Sequence, residues 1–178
     1  MQAFIPFAQV FLCCVFVISG LAKWMSFDSF RSTVAQLSRF PGKLASAAAH
    51  LVIAAEIVSG VMLIIDTLAV YGAFMMLALM MLFAAFSLRA AVRGTKEKCN
   101  CFGQLTDERL GMETLVKAVI LAGLALIVLL NGEERIGNVA DPALFALWVT
   151  DSLLIICLYI LVNKLRTYLR KLKNGIFT

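Results

Sequence analysis

Residues 44–88 read LASAAAHLVIAAEIVSGVMLIIDTLAVYGAFMMLALMMLFAAFSL, and the charged residues within this stretch are Glu56 and Asp66. A helix needs about 20 mostly apolar residues to cross the ~30 Å hydrocarbon core of a bilayer. The stretch is long enough for two such helices, at 44–65 and 67–88, with Asp66 at the connection between them. It therefore predicts an integral membrane protein.

The rest of the chain has the same character. Of its 178 residues, 62% are hydrophobic and 15% are charged, and the mean hydropathy is +0.93. A soluble domain is roughly half apolar and about a quarter charged. This composition excludes a small soluble enzyme, a nucleic-acid-binding module and a disulfide-rich secreted scaffold. Further apolar runs of spanning length occupy residues 3–24, 112–130 and 142–162.

We therefore predict an all-α fold: a polytopic helical bundle with five transmembrane helices. Residues 1–178 are expected to form one membrane-embedded domain that ends in a basic tail at 163–178. Between the first two spans, Phe27, Phe30, Val34 and Leu37 recur at helical spacing among polar residues. This pattern predicts one additional amphipathic helix in the membrane interface, which Pro41 and the glycine after it would end.

Basic residues are concentrated at one end of the predicted helices. Fourteen of them lie in the tail and in the connections that follow the first and third spans, whereas the opposite connections carry one, Arg135. Lys and Arg mark the cytoplasmic side of a membrane protein. We expect an outside N-terminus and a cytoplasmic C-terminus in the cell (inner or plasma) membrane. The basic tail indicates contact with anionic membrane lipid, and we expect no nucleic-acid partner.

A cysteine pair provides the clearest chemical signal. Cys99 and Cys101 flank Asn100 in a polar segment before the fourth span. Helical side chains two positions apart point about 200° away from each other, so a disulfide between the two would need a turn. Asn100 favours such a turn, and Lys96 and Lys98 favour the reactive thiolate. We expect Cys99 and Cys101 to be the catalytic residues and the most reactive cysteines of the chain.

The remaining cysteines lie within apolar runs. Cys13 and Cys14 are adjacent in the first span, where helix geometry disfavours a bond between them. Cys157 is in the fifth span. All three are expected to pack as small apolar side chains in the core.

Several polar side chains are predicted within or at the ends of spans. Glu56 and Asp151 fall near the centres of the second and fifth spans, where a charge is costly and usually faces the bundle interior. Lys23 ends the first span, and Lys117 enters the fourth. His50 is six residues from Glu56, which is not a same-face spacing. We predict an interior role for Glu56 and treat Asp151, Lys23 and His50 as candidate intramembrane polar residues.

Four sequence elements together resemble those of a known family: Ser19-Gly20-Leu21-Ala22-Lys23, Glu56-Ile57-Val58-Ser59-Gly60, Arg93-Gly94 and Cys99-Asn100-Cys101-Phe102-Gly103. Residues 10–130 thus resemble the MauE branch of the DoxX-like membrane proteins. The resemblance implies a helical bundle that assists the maturation of methylamine dehydrogenase alongside a thioredoxin-like partner. It also implies that Cys99 and Cys101 are the motif cysteines, Glu56 the polar position and Lys23 the basic end of the first span.

Three functions are compatible with these features. The leading hypothesis is a thiol–disulfide oxidoreductase that cycles Cys99 and Cys101 with a thioredoxin-like protein. No cofactor is evident, although a quinone is a candidate second acceptor. The alternatives are a mercuric-type transporter of soft metal ions and a structural assembly subunit. In the transporter, the metal ligands would be Cys13, Cys14, Cys99 and Cys101.

The predicted orientation conflicts with one part of the resemblance. A maturation role outside the cell membrane would need thiols on the outer side, whereas the basic residues predict that Cys99 and Cys101 lie on the cytoplasmic side.

Overall fold

A computed structural model describes residues 4–38, 41–92, 112–131 and 141–175, and this part of the chain is helical without strands. The helices are α1 (Phe4–Met25), α2 (Phe27–Ser38), α3 (Gly42–Ile64), α4 (Ala69–Val92), α5 (Met112–Leu130) and α6 (Pro142–Gly175). The predicted helical membrane bundle is confirmed, and its five expected spans fall within or overlap α1 and α3–α6. Cys99 and Cys101 lie outside the described residues.

Four of these helices, α1, α3, α4 and α6, are both long enough and apolar enough to cross a membrane. Helix α5 is a shorter apolar helix of 19 residues. At about 1.5 Å per residue it extends about 28 Å, close to the ~30 Å thickness of the hydrocarbon core. The chain is therefore a multi-pass membrane protein.

Helix α1 is at the centre of the bundle and contacts α2, α3, α5 and α6. Its contact with α3 depends on two glycines. A Cβ atom at Gly20 would lie 2.7 Å from Ile57 Cγ1, and one at Gly60 would lie 3.1 Å from Val17 Cγ2. Small residues let membrane helices approach closely, because the association of these helices depends on packing. The two glycines thus let α1 and α3 approach closely enough for their facing side chains to form hydrogen bonds.

Helix α2 is the predicted amphipathic helix, and its apolar face is covered by protein. Phe30 is buried against Ala49 and Ile53 of α3, with Phe27 and Val34 packed beside them. The apolar spacing therefore predicted the helix correctly, and α3 supplies the surface on which it rests.

Helix α6 continues well beyond the predicted fifth span. Its 34 residues extend through most of the expected basic tail to Gly175. This corresponds to about 51 Å at 1.5 Å per residue, whereas the hydrocarbon core is about 30 Å thick. The basic segment is thus a helical continuation of the last span.

Candidate functional site

A buried ion pair joins α1 to α3. Lys23 Nζ donates a hydrogen bond to Glu56 Oε1 and a second one, of 2.8 Å, to Ser19 Oγ. Ser19 Oγ in turn donates to Glu56 Oε2 over 3.4 Å. Ser19 and Lys23 are four residues apart on α1 and therefore share one face of the helix. The Lys23 and Glu56 side chains are only 1% and 2% exposed.

Pairing explains how these two charges can be buried. An isolated ionised group inside a protein or membrane costs several kcal/mol, and a partner with good hydrogen-bond geometry offsets that cost. Two aromatic rings add to the stabilisation of the ammonium group. Lys23 Nζ lies 5.6 Å from the ring centroid of Phe30 and 5.0 Å from that of Phe83, within the range of cation–π attraction. Helices α2 and α4 thus also hold the Lys23 side chain.

A cavity of about 60 Å³ adjoins the ion pair. Its polar lining consists of Ser19, Lys23, Glu56, Thr114 and Lys117. Its apolar lining consists of Val15, Phe16, Met80, Phe83, Ala118 and Leu121. These residues come from α1, α3, α4 and α5, so four helices of the bundle line the cavity.

Lys117 brings a second ammonium group to this cavity. Its Nζ donates a hydrogen bond to the Tyr159 hydroxyl of α6 and lies 4.9 Å from the centroid of the same ring. Among the described residues, the charged groups that line the cavity are therefore two cations and one carboxylate. Such a lining offers several hydrogen-bond donors among largely apolar side chains.

The other predicted polar residues lie elsewhere. His50 is exposed on α3, where its Nδ1 is 2.9 Å from the Ser46 carbonyl oxygen and its ring packs near Trp24 and Phe27, with centroid distances of 6.2 and 4.3 Å. Asp151 lies on an exposed face of α6. The structure thus brings together Lys23 and Glu56 among the four candidates, and places His50 and Asp151 outside the cavity lining.

The cysteines divide into two groups. Cys99 and Cys101 belong to the segment that connects α4 to α5, outside the described residues. Cys13 is buried and Cys14 is half-buried in α1, as expected for packed side chains. Cys157, however, is exposed on α6, so the prediction that it packs in the core is wrong. Hydropathy cannot separate the two environments, because lipid tails are as apolar as a protein core.

Across the ranges that the structure describes, no group of three or more His, Cys, Asp and Glu side chains is arranged to hold a metal ion. The transporter hypothesis would use Cys13 and Cys14 together with the cysteines of the α4–α5 segment. Its complete ligand set therefore includes residues outside the described part of the chain.

Sequence reasoning missed the roles of Ser19 and Tyr159. The four-residue spacing of Ser19 and Lys23 in an apolar span was the available signal for the first of them. For Tyr159 no such signal exists, because its contact with Lys117 depends on how α5 and α6 are placed relative to each other.

Comparison with known proteins assigns this arrangement to a family. The family model described as "Methylamine utilisation protein MauE" matches residues 1–131. The chain belongs to the MauE family. The matched residues include the cavity lining, the Lys23–Glu56 pair and the Cys99–Cys101 pair, whereas Tyr159 lies beyond them.

A similar protein agrees with the MauE assignment. The "Methylamine utilization protein MauE" of Methylophilus methylotrophus is 32% identical to this chain over 143 residues. The alignment covers 79% of this chain and 75% of that protein. No solved structure gives a significant match. Membership of the MauE family links the chain to methylamine utilisation.

Proposed function

We propose that this protein is a membrane thiol–disulfide exchange protein whose reactive groups are Cys99 and Cys101. One thiolate of the reduced pair attacks the disulfide of a thioredoxin-like partner and forms a mixed disulfide. The second thiolate then displaces the partner, so that the pair becomes a disulfide and the partner becomes a dithiol. The reverse sequence reduces the pair. Each exchange, in whichever direction it runs, transfers two electrons and two protons from one protein to the other.

The observation that carries this proposal is that the two helices joined by the cysteine segment, α4 and α5, both line the cavity. Helix α4 ends at Val92 and α5 begins at Met112, and the cysteines lie between them in the sequence. Thr114 and Lys117, in the first two turns of α5, line the cavity, as does Phe83 of α4. The chain that carries the thiols is therefore attached to the two helices that form one wall of a buried, charged site. A structural assembly subunit would not need such a site.

The proposed biological context follows from the family. The relative from Methylophilus methylotrophus is named for methylamine utilisation, and we propose that this chain acts in the same process, by exchanging disulfides during maturation of an amine dehydrogenase. The proposed orientation has the N-terminus outside and the C-terminus in the cytoplasm. With that orientation, Cys99 and Cys101 exchange with cytoplasmic thiols and the thioredoxin-like partner is cytoplasmic, so the pair does not itself act on disulfides outside the membrane.

Serine substitutions test the proposed exchange. Cys99→Ser and Cys101→Ser should each abolish amine dehydrogenase maturation in cells that depend on this protein, because exchange needs one sulfur to attack and another to resolve. Cys157→Ser is the matched control, since that thiol is exposed on α6 and has no part in the exchange. All three variants should insert in equal amounts, as measured by immunoblot of the membrane fraction.

Two outcomes would contradict the proposal. Normal maturation with the Cys99→Ser, Cys101→Ser double variant would exclude exchange by this pair. A strict requirement for Cys13 and Cys14, with uptake of a soft metal ion, would instead identify a transporter.

A further inference from the structure

Helix α6 carries a stripe of exposed side chains at a regular spacing, which we call the α6 stripe. Its positions are separated alternately by four and three residues, which is the a and d pattern of a coiled coil. The apolar side chains of the stripe are 45–65% exposed. The members of the stripe are Leu147, Asp151, Leu154, Leu158, Leu161, Leu165, Tyr168 and Leu172.

The stripe faces away from the rest of the bundle. Trp148, Ser152 and Ile156 are buried, and their four-residue spacing keeps them on one face of the helix. Ile156 of this face belongs to the apolar core of the bundle. Leu154 is two positions from both Ser152 and Ile156, and helical side chains two positions apart point about 200° away from each other. The described helices therefore leave the stripe uncovered.

Lipid would cover only part of the stripe. The predicted span at 142–162 already crosses the ~30 Å of hydrocarbon at about 1.5 Å per residue. Leu165, Tyr168 and Leu172 follow this span, and Leu172 lies about 15 Å beyond residue 162 along the helix axis. All three are exposed, and apolar side chains outside the hydrocarbon are more stable when protein covers them.

Asp151 provides a second and independent indication of a partner. It lies nine residues after the start of α6, or about 14 Å along the helix axis, which is near the middle of the hydrocarbon core. Its side chain is exposed, and it forms no ion pair or hydrogen bond with the described residues. Acidic side chains within a membrane usually pair with another polar group. A group that pairs with Asp151 must therefore come from outside the described helices.

We propose that the α6 stripe binds the α6 stripe of a second copy of this chain. Copies inserted with the same topology have parallel α6 helices, and parallel helices with the same heptad pattern can interlock in register. The two Asp151 side chains then face each other at an a position. One protonated carboxyl group can donate a hydrogen bond to the carboxylate of the other, and a polar residue at an a position fixes the register of such a pair.

The residues beside the stripe are compatible with this pairing. In a parallel pair, a g residue of one helix approaches the e residue five positions further along the other. Lys164 is at a g position and Leu169 is at the matching e position. Lys164 therefore meets an apolar side chain instead of a second ammonium group, and its methylene groups can cover that side chain.

Disulfide trapping in native membranes tests the pairing. Single cysteines are placed in the full chain after its five native cysteines have been replaced by serine. Leu154→Cys and Leu165→Cys lie on the stripe. Leu153→Cys and Arg166→Cys are the matched controls, because each is exposed at nearly the same depth but off the stripe. After oxidation with copper phenanthroline, each stripe variant should give at least five times as much covalent dimer as its neighbouring control.

A second measurement tests Asp151 without introduced cysteines. Copies that carry donor or acceptor fluorescent proteins at the C-terminus are diluted in lipid vesicles, and energy transfer between them gives the dissociation constant. Asp151→Ala should weaken association at least fivefold, because it removes the hydrogen bond between the helices. Asp151→Asn should associate like the wild type, because an amide group both donates and accepts hydrogen bonds.

Equal dimer yields at stripe and control positions, in variants that immunoblots show to be inserted, would overturn the pairing. Trapping of a different protein by the stripe cysteines would do the same, as would unchanged association of Asp151→Ala. This inference goes beyond the proposed thiol exchange. Neither measurement depends on Cys99 or Cys101, so its failure would leave the exchange proposal standing.

Discussion

Replacement of Lys23 by methionine removes the ammonium group and keeps a side chain of similar length in the same place. The Glu56 carboxylate would then lose the hydrogen bond from Lys23 and keep the one from the Ser19 hydroxyl, which is 3.4 Å away. Removing one member of a buried ion pair costs about 3–5 kcal/mol, because the other charge stays buried without compensation. In a chain of this size, 1 kcal/mol changes Tm by about 2–4 °C. We therefore expect Tm to fall by about 6–20 °C.

The double variant Lys23→Met, Glu56→Met separates the pairing from the packing. Replacement of a whole buried ion pair by apolar side chains of similar volume is often neutral or stabilising. We expect this variant to recover most of the stability that Lys23→Met loses. Lys43→Met is the matched control, since Lys43 is exposed near the start of α3 and surface substitutions usually change stability by less than about 0.5 kcal/mol.

Thermal unfolding of the purified variants in detergent, followed by circular dichroism at a helix band, measures these differences. The reasoning predicts that the double variant is more stable than Lys23→Met alone. A double variant whose loss equals the sum of the two single losses would show that the side chains do not interact. An unchanged Tm for Lys23→Met would refute the burial of the pair.

Three further predictions follow from the packing and the charges. Glu56→Gln should retain more folded protein than Glu56→Leu in a detergent solubility assay, because Gln still accepts hydrogen bonds from Lys23 and Ser19; equal yields would contradict the interior position of Glu56. Gly20→Ala should lower Tm more than Gly123→Ala, since its added Cβ would lie 2.7 Å from Ile57 Cγ1, whereas nothing lies within 4 Å at Gly123; the reverse order would contradict the close α1–α3 contact. Reporter fusions at residue 178 should be active in the cytoplasm and fusions within 133–141 on the outer side; a tail fusion that is active only outside would reverse the proposed orientation.

The sequence alone was sufficient to predict where the helices lie along the chain, but not which faces of those helices pack against one another. Long apolar runs located α1, α3, α4 and α5 to within a few residues, because a bilayer demands a minimum apolar length. The same runs could not identify the exposed side of α6, so the prediction for Cys157 was wrong. Helix α6 also continues past the predicted span, because charge marks where a helix leaves the lipid but does not end the helix.

The residues of the candidate site could be predicted from the sequence, but the contacts between them could not. Glu56 and Lys23 were each recognisable as polar residues in apolar surroundings, which is a property of single positions. Their pairing depends on the register of α1 against α3, and that register is fixed by the close contacts at Gly20 and Gly60. Side-chain contacts between helices that are distant in sequence require the three-dimensional packing.

The redox state of Cys99 and Cys101 tests the central claim most directly. Full-length protein in detergent is incubated with reduced thioredoxin, quenched with acid and labelled with a mass-tagged maleimide, and the peptide that contains both cysteines is weighed. Thiol exchange predicts that the untreated protein contains a fraction of this peptide as the unlabelled disulfide, and that reduced thioredoxin converts this fraction to the doubly labelled form. The protein for this test is isolated from cells that are maturing amine dehydrogenase. If the peptide is fully doubly labelled both with and without thioredoxin, the result contradicts thiol exchange by Cys99 and Cys101.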